Sequence, residues 1–299
     1  MVSTPSSINQ SNWSEDPEQV EVGYSSRVLV QALFPYKRRD TDKVTLTRGP
    51  LTYTVSSTAG LPYGRYPRLL LAYLATQAVK RRGLPEEDGR RIPLGSSLRE
   101  FFALIGMDHR VRGGTRGSIT LLREQVRRLT HTSITIEKRW SARDQVTNMF
   151  LADSMDVSFS SSAAEGQDTL EPSYIELSLP FWRELVAHPI PINLAILTAL
   201  SKPRAIDLYV WTTVQRFAHP RGIQTTWDNL AHLFAPHATT SRQRLDFKAD
   251  LAKAVASVNQ AWPEAHLTLN PRTGLTIPGG PPSIPTRAGS PRASSTESR

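Results

Sequence analysis

The chain predicts an α+β fold, and three observations predict it. Twice, a strongly periodic helix with a cationic outer side runs into two short alternating segments. Ser118 to Leu129 is followed by Ile134–Ile136 and Val146–Phe150, and Thr239 to Trp262 is followed by His266–Asn270 and Leu275–Ile277. Each of these helices follows a shorter amphipathic one, Ser97–Gly106 with its glycine stop and Trp227–Phe234. Between the two sets, Ser160 to Pro172 has the composition of a linker. Helix, turn, helix and hairpin is the order of a winged helix. The expectation is therefore two tandem winged-helix domains, each a helix-turn-helix plus a β-hairpin wing, with flexible termini. The boundaries are a flexible arm over 1–26, a first domain over 27–160, a linker over 161–172, a second domain over 173–278 and a disordered basic tail over 279–299.

The first two dozen residues are polar and aperiodic, which is why they read as an arm. Strands are expected at Val28–Phe34, Lys43–Thr47 and Leu51–Ser57, the last by its alternation of Leu51, Tyr53 and Val55 with threonines. Pro67 suits a helix start, and Leu69, Leu70, Tyr73, Leu74 and Ala78 give that helix a wide apolar stripe. In the next long helix Ser118 reads as the N-cap, and Ile119, Leu122, Val126 and Leu129 form the core side. The opposite side collects Arg116, Thr120, Glu124 and Arg127, with Arg123 and Arg128 on the flanks. Lys138 and Arg139 stand at the tip of the first wing. In the second half, helices are expected over Lys202–Phe217 and Trp227–Phe234, then a longer one capped by Thr239, Thr240 and Ser241. Phe247, Leu251, Val255, Val258 and Trp262 are its core stripe. Arg242, Gln243, Arg244, Lys248 and Lys253 lie elsewhere on it, and Arg272 tops the second wing.

The 299 residues suffice for two domains of ordinary size, and 39% hydrophobic residues exclude wholesale disorder. A net charge of +9 and a pI near 10.0 point to a polyanionic partner, with nucleic acid ahead of a membrane surface. There is no cysteine, which removes disulfides and thiolate chemistry. The start lacks the basic and apolar regions of a signal peptide, and the longest apolar run, Leu69 to Val79, is too short for a bilayer span. A cytoplasmic protein is expected. Enzyme motifs fail on their chemistry: no glycine-rich loop ends in Gly-Lys-Ser/Thr, and Gly113 to Gly117 lacks the strand and acid of a dinucleotide site. His232 and His237 are five residues apart, on different helical faces, and no His-hydrophobe-His motif accompanies the tyrosines for a nicking reaction.

Three stretches carry a resemblance. Gly60-Leu61-Pro62-Tyr63-Gly64, continuing through Tyr66-Pro67-Arg68 to Ala72, is the first. The second is the Gly113 to Gly117 turn with Leu122-Arg123-x-Gln125-x-x-Arg128-Leu129, and the third is Asp207-Leu208-Tyr209-x-Trp211. Together they resemble the plasmid-encoded RepA family of replication initiators, from about Leu29 to about Pro282. The resemblance implies an N-terminal winged helix used in dimerisation and DNA contact, and a C-terminal one used mainly on repeated origin sequences, the iterons. It implies as partners double-stranded DNA of the plasmid origin, a host replication initiator, the replicative helicase and a second copy of the chain, with no cofactor or metal.

The candidate DNA-binding residues are Arg112, Arg116, Thr120, Arg123, Arg127, Arg128, Lys138, Arg139, Arg242, Gln243, Arg244, Lys248, Lys253 and Arg272. Arg112, Arg116, Lys138, Arg139 and Arg272 are expected on phosphates, and the two long helices on base edges, where arginine and glutamine have donors for guanine and adenine. A winged-helix repressor is the alternative within DNA binding, and a metal-dependent nicking relaxase the alternative outside it.

Overall fold

The computed structural model describes residues 21–26, 34–95, 105, 117–140, 143–157 and 173–284. Its strands are β1 (Val22–Ser26), β2 (Lys43–Arg48), β3 (Leu51–Ser57), β4 (Arg91–Gly95), β5 (Thr132–Trp140), β6 (Arg143–Phe150), β7 (Ala152–Asp156), β8 (Ser173–Leu177), β9 (Pro189–Asn193), β10 (Gly222–Thr225), β11 (Thr268–Asn270) and β12 (Gly274–Pro278). The helices are α1 (Tyr66–Lys80), α2 (Glu86–Arg90), α3 (Ser118–Thr130), α4 (Leu179–Ala187), α5 (Leu194–Ala199), α6 (Pro203–Ala218), α7 (Trp227–Phe234) and α8 (Ser241–Ala261). Mixed helix and antiparallel sheet is the α+β class that the sequence predicts. The expected strand before Phe34, the expected helix from Ser97 to Gly106 and the linker over 161–172 lie outside the described residues, apart from the buried Phe34 and Ile105.

Helix α1 is the centre of the first half. It is apolar almost all the way round, and Leu69, Leu70, Leu71, Ala72, Leu74, Ala75 and Ala78 are all buried, as a helix enclosed by neighbours requires. A four-stranded antiparallel sheet, in the order β2-β3-β5-β6, supplies one wall of this half. Period-two alternation sends Val44, Val55, Ile134 and Met149, aligned across the strands, to its apolar side. Thr45, Thr54, Thr135 and Asn148 share the other side, where side-chain hydrogen bonds join Thr45 to Thr54 at 3.2 Å and Thr135 to Asn148 at 2.8 Å.

Two expected boundaries are corrected. Residues 22–26 are not part of a free arm: β1 pairs antiparallel with β9, Ser26 is buried, and the Tyr24 amide donates to Thr76 Oγ1 at 2.9 Å. A strand this short and polar takes its stability from a partner far along the chain, which local composition does not reveal. Nor does the second half begin at residue 173. Strand β8 lies between β4 and β7 in a three-stranded sheet, and α4 buries Phe181, Trp182 and Leu185 in the core beside α1. Residues 173–187 thus complete the first half. Alternation predicts β8 as a strand but says nothing of which sheet it joins.

From Pro203 the order is α6, β10, α7, α8, a single 3-10 turn at Pro263–Ala265, and the β11–β12 hairpin. Strand β10 pairs with β12, so the three strands order β10-β12-β11 and close the hairpin onto the helices. Gly274, at φ +117°, starts β12 where any Cβ would collide with the Thr225 carbonyl, so the hairpin reaches β10 only through a glycine. The predicted tail over 279–299 is corrected at its start. Ser283 Oγ lies 2.8 Å from the Tyr209 hydroxyl, and Arg216 donates to the Pro281 carbonyl at 3.0 Å. Residues 285–299 lie outside the described residues.

Candidate nucleic-acid interface

The first candidate surface is the outer side of α3. Leu122, Val126 and Leu129 are buried as predicted, while Thr120, Arg123 and Arg127 are exposed. Gly117 rather than Ser118 is the N-cap, in extended backbone conformation. Arg112 and Arg116 fall outside the described residues.

Arg128 requires a correction, because it is 5% exposed and its guanidinium is consumed inside the protein. It pairs with Glu124 at 2.7 Å, donates from Nη1 to the Leu61 carbonyl at 3.0 Å and lies 5.3 Å from the centre of the Tyr63 ring. Beside it the buried Gln125 accepts the Tyr63 amide at 2.8 Å. Helical periodicity puts Arg123 and Arg128 symmetrically on the two flanks, and only the loop over 60–64 breaks the symmetry by covering one. Gly60 has φ +83°, which favours glycine, and a Cβ there would stand 2.6 Å from Arg128 Nη1 and push the guanidinium from its place under the loop.

A second internal bridge joins the halves. Arg68 on α1 makes two parallel bonds to Asp207 on α6, each 2.7 Å, with side chains 5% and 9% exposed. Its remaining donors go to the Gly64 and Phe34 carbonyls at 2.6 and 2.7 Å. Burial works against the charged guanidinium, but Asp207 outweighs burial and the Arg68 pKa rises. Burial, reinforced by Asp207, pushes the neighbouring Tyr36 hydroxyl up. The motif residues Gly60 to Arg68, Gln125 and Arg128, and Asp207 therefore hold one another.

The second candidate surface is formed by α8 and the β11–β12 hairpin. Thr240 caps α8 in a full capping box: its hydroxyl accepts the Gln243 amide at 3.2 Å, and Gln243 Oε1 accepts the amides of Thr239 and Thr240 at 3.0 and 3.2 Å. Gln243 is corrected on that account. Adenine reading by glutamine needs the amide oxygen and nitrogen together, and here the oxygen is spent on the helix end. Arg242 is 84% exposed and pairs with Asp246 at 3.3 Å, while Arg244 faces Asp228 at 3.7 Å. Lys248 Nζ sits 4.7 Å over the Trp227 ring, and Lys253 is exposed, 4.0 Å from Asp250. Arg272 is exposed at the hairpin tip, in a turn where Asn270 Oδ1 accepts the Arg272 and Thr273 amides at 2.8 and 3.1 Å. On the other hairpin, Arg139 is exposed and 3.1 Å from Glu137, and Lys138 is half-buried.

Sequence reasoning missed Arg204. Its guanidinium lies 4.4 Å from the Tyr36 ring centre and 5.3 Å from that of Phe247, tying the base of α8 to the first half. It also missed the 2.7 Å contact of His232 Nε2 with the Thr47 carbonyl, where the ring nitrogen donates. Neither contact has a local signal, since both partners are distant in sequence. Among the described residues there is no cluster of three or more side chains suited to a metal ion, and no helix long and apolar enough to cross a membrane.

A family model described as plasmid-encoded RepA protein matches residues 61–229, more than half of the chain. The chain belongs to the plasmid-encoded RepA family. Its broad role is accordingly that of a replication initiator. The match takes in α1, α3 and α6 with Leu61 to Gly64, Arg128, Arg68 and Asp207, and ends inside α7, so Gly60, α8 and the second hairpin lie outside it. No curated protein matches the chain. Among solved structures, the selenomethionine crystal structure of domains 2 and 3 of RctB is similar, with a TM-score of 0.53 at 14% identity over 84% of this chain and 94% of that one. A further crystal structure of RctB domains 2–3 gives a TM-score of 0.45 at 14% identity, over 77% and 82%. At this identity the likeness is one of fold.

Proposed function

We propose that this RepA-family chain binds repeated duplex sites, iterons, at a plasmid origin through two winged-helix units, distorts the origin and recruits the host initiator and replicative helicase. The observation that carries the reading is the second half. Its order of helix, strand, two helices and hairpin, with β10 closing on β12, supports a winged-helix reading, and its last long helix is capped, basic at its first turns and exposed along its outer side. In this reading α8 enters the major groove, Arg272 at the hairpin tip meets a neighbouring phosphate, and Arg242 and Arg244 trade their carboxylate partners for DNA. Thr120, Arg123 and Arg127 on α3, with Arg112, Arg116, Lys138 and Arg139, make a second, phosphate-gripping surface.

The halves meet through the buried Arg68–Asp207 bridge, so α3 and α8 are carried on one connected frame. Binding energy, not covalent chemistry, does the work, and a second copy of the chain regulates occupancy of the origin. The test is replication itself. A plasmid carrying the origin, with the gene supplied in trans, is expected to be maintained with the wild-type chain and lost with Arg242→Ala combined with Arg244→Ala. Maintenance with the double variant removes α8 from the reading.

A further inference from the structure

Leu245 is 63% exposed on the second turn of α8, although the buried side of that helix is already filled by Phe247, Leu251, Val255 and Val258. It points outward with Arg242 and Ala249, roughly opposite the core stripe. Its polar neighbours are engaged: Arg242 with Asp246, Arg244 with Asp228, Lys248 over Trp227, and Gln243 in the capping box. Along the axis the next outward residue, Ala249, is small and exposed, so nothing longer shields the leucine. The outward side of these turns therefore carries an apolar pair, Leu245 and Ala249, beside the exposed Arg242–Asp246 ion pair.

We infer that Leu245 is a specificity-determining residue that reads the C5-methyl group of thymine in the major groove. This rests on the reading that α8 enters that groove. The occupant follows from charge and chemistry. Helix α8 carries the cations Arg242, Arg244, Lys248 and Lys253 against the carboxylates Asp246 and Asp250, a balance that suits a polyanionic duplex, and between its phosphate ridges thymine alone presents an apolar group among the four bases. Gln243, the side chain otherwise suited to adenine, is held back by the Thr239 and Thr240 amides that its oxygen accepts, which leaves the leucine as the thymine-reading contact of these turns beside Arg242 and Arg244.

The experiment uses the full chain and a random-sequence duplex library to select a preferred duplex, in which each thymine is then replaced in turn by uracil, removing only the methyl group. The wild-type chain is expected to lose about fourfold in affinity at one or two positions, the equivalent of roughly 0.8 kcal/mol for one methyl-sized burial. Leu245→Ala is expected to bind the thymine and uracil duplexes alike, with its helical circular dichroism unchanged because the residue is exposed. Leu245→Ala that still discriminates thymine from uracil overturns the proposal, as does a preferred duplex insensitive to every uracil replacement. If no sequence is enriched and all duplexes bind alike, the reading of α8 as a groove helix fails, an outcome distinct from the other two.

Discussion

Replacing Asp207 by Asn removes the only carboxylate that Arg68 faces within hydrogen-bonding distance among the described residues, and leaves a guanidinium buried to 95% between α1 and α6. Breaking a buried pair from one side costs about 3–5 kcal/mol, because the remaining charge has been stripped of water without compensation. Arg68 keeps the Gly64 and Phe34 carbonyls, so the lower end of that range applies, about 3 kcal/mol. At about 2–4 °C per kcal/mol for a chain of this size class, the midpoint of thermal unfolding should fall by roughly 6–12 °C. Calorimetry and urea unfolding measure it. The decisive comparison is the double variant Arg68→Met with Asp207→Leu, which removes both charges and should recover most of the loss. Arg183→Ala, which breaks the exposed pair with Glu86, should leave the midpoint within error. Asp207→Asn melting with the wild type, or a double variant less stable than the single one, refutes the bridge as a structural tie.

Arg123→Ala and Arg127→Ala should each make the slope of log affinity against log salt shallower by about 0.9, the value of one phosphate contact on duplex DNA. Arg128→Ala should instead lower thermal stability and leave that slope unchanged, and the two readouts in one titration series separate the roles. A protease site placed within residues 161–170 and cut in the folded protein should leave both pieces co-eluting on gel filtration, since β8 lies between β4 and β7; separate peaks would contradict the strand pairing. Stability should fall as pH rises from 10 towards 12. Burial pushes the Tyr209 hydroxyl up to about 12, so the folded chain retains a proton that the unfolded chain releases above pH 10. Tyr209→Phe should flatten that limb in urea titrations at pH 9 and 11, and an unchanged slope would remove Tyr209 from it.

Much of this fold is legible in the sequence wherever a segment advertises its own period. Helices α1, α3, α6, α7 and α8 and both hairpins fall within a few residues of their predicted spans, because apolar spacing and caps such as Thr240 are local properties. What the sequence withholds is partnership. Strand β1 has no apolar alternation and exists through β9, and β8 alternates well but joins the sheet of the first half. The candidate site divides along the same line. Thr120, Arg123, Arg127, Arg242, Arg244, Lys253 and Arg272 are exposed as a helix wheel or turn predicts. Arg128 and Gln243 carry the right chemistry for DNA, and a covering loop and a helix cap take it for the protein itself. Within the stretches that carry the resemblance, Gly60, Arg68, Gln125, Arg128 and Asp207 prove to be the joints of the frame.

Two connected winged-helix units that place α3 and α8 on repeated duplex sites, as proposed above, would leave a periodic footprint on origin DNA. Hydroxyl-radical footprinting of the purified full chain on origin DNA from the replicon that encodes it measures this directly. Repeated, evenly spaced blocks of protection are expected, with Arg242→Ala plus Arg244→Ala erasing the blocks while nonspecific retention of DNA at low salt persists. Uniform protection along the fragment, or blocks that survive the double variant unchanged, would contradict it.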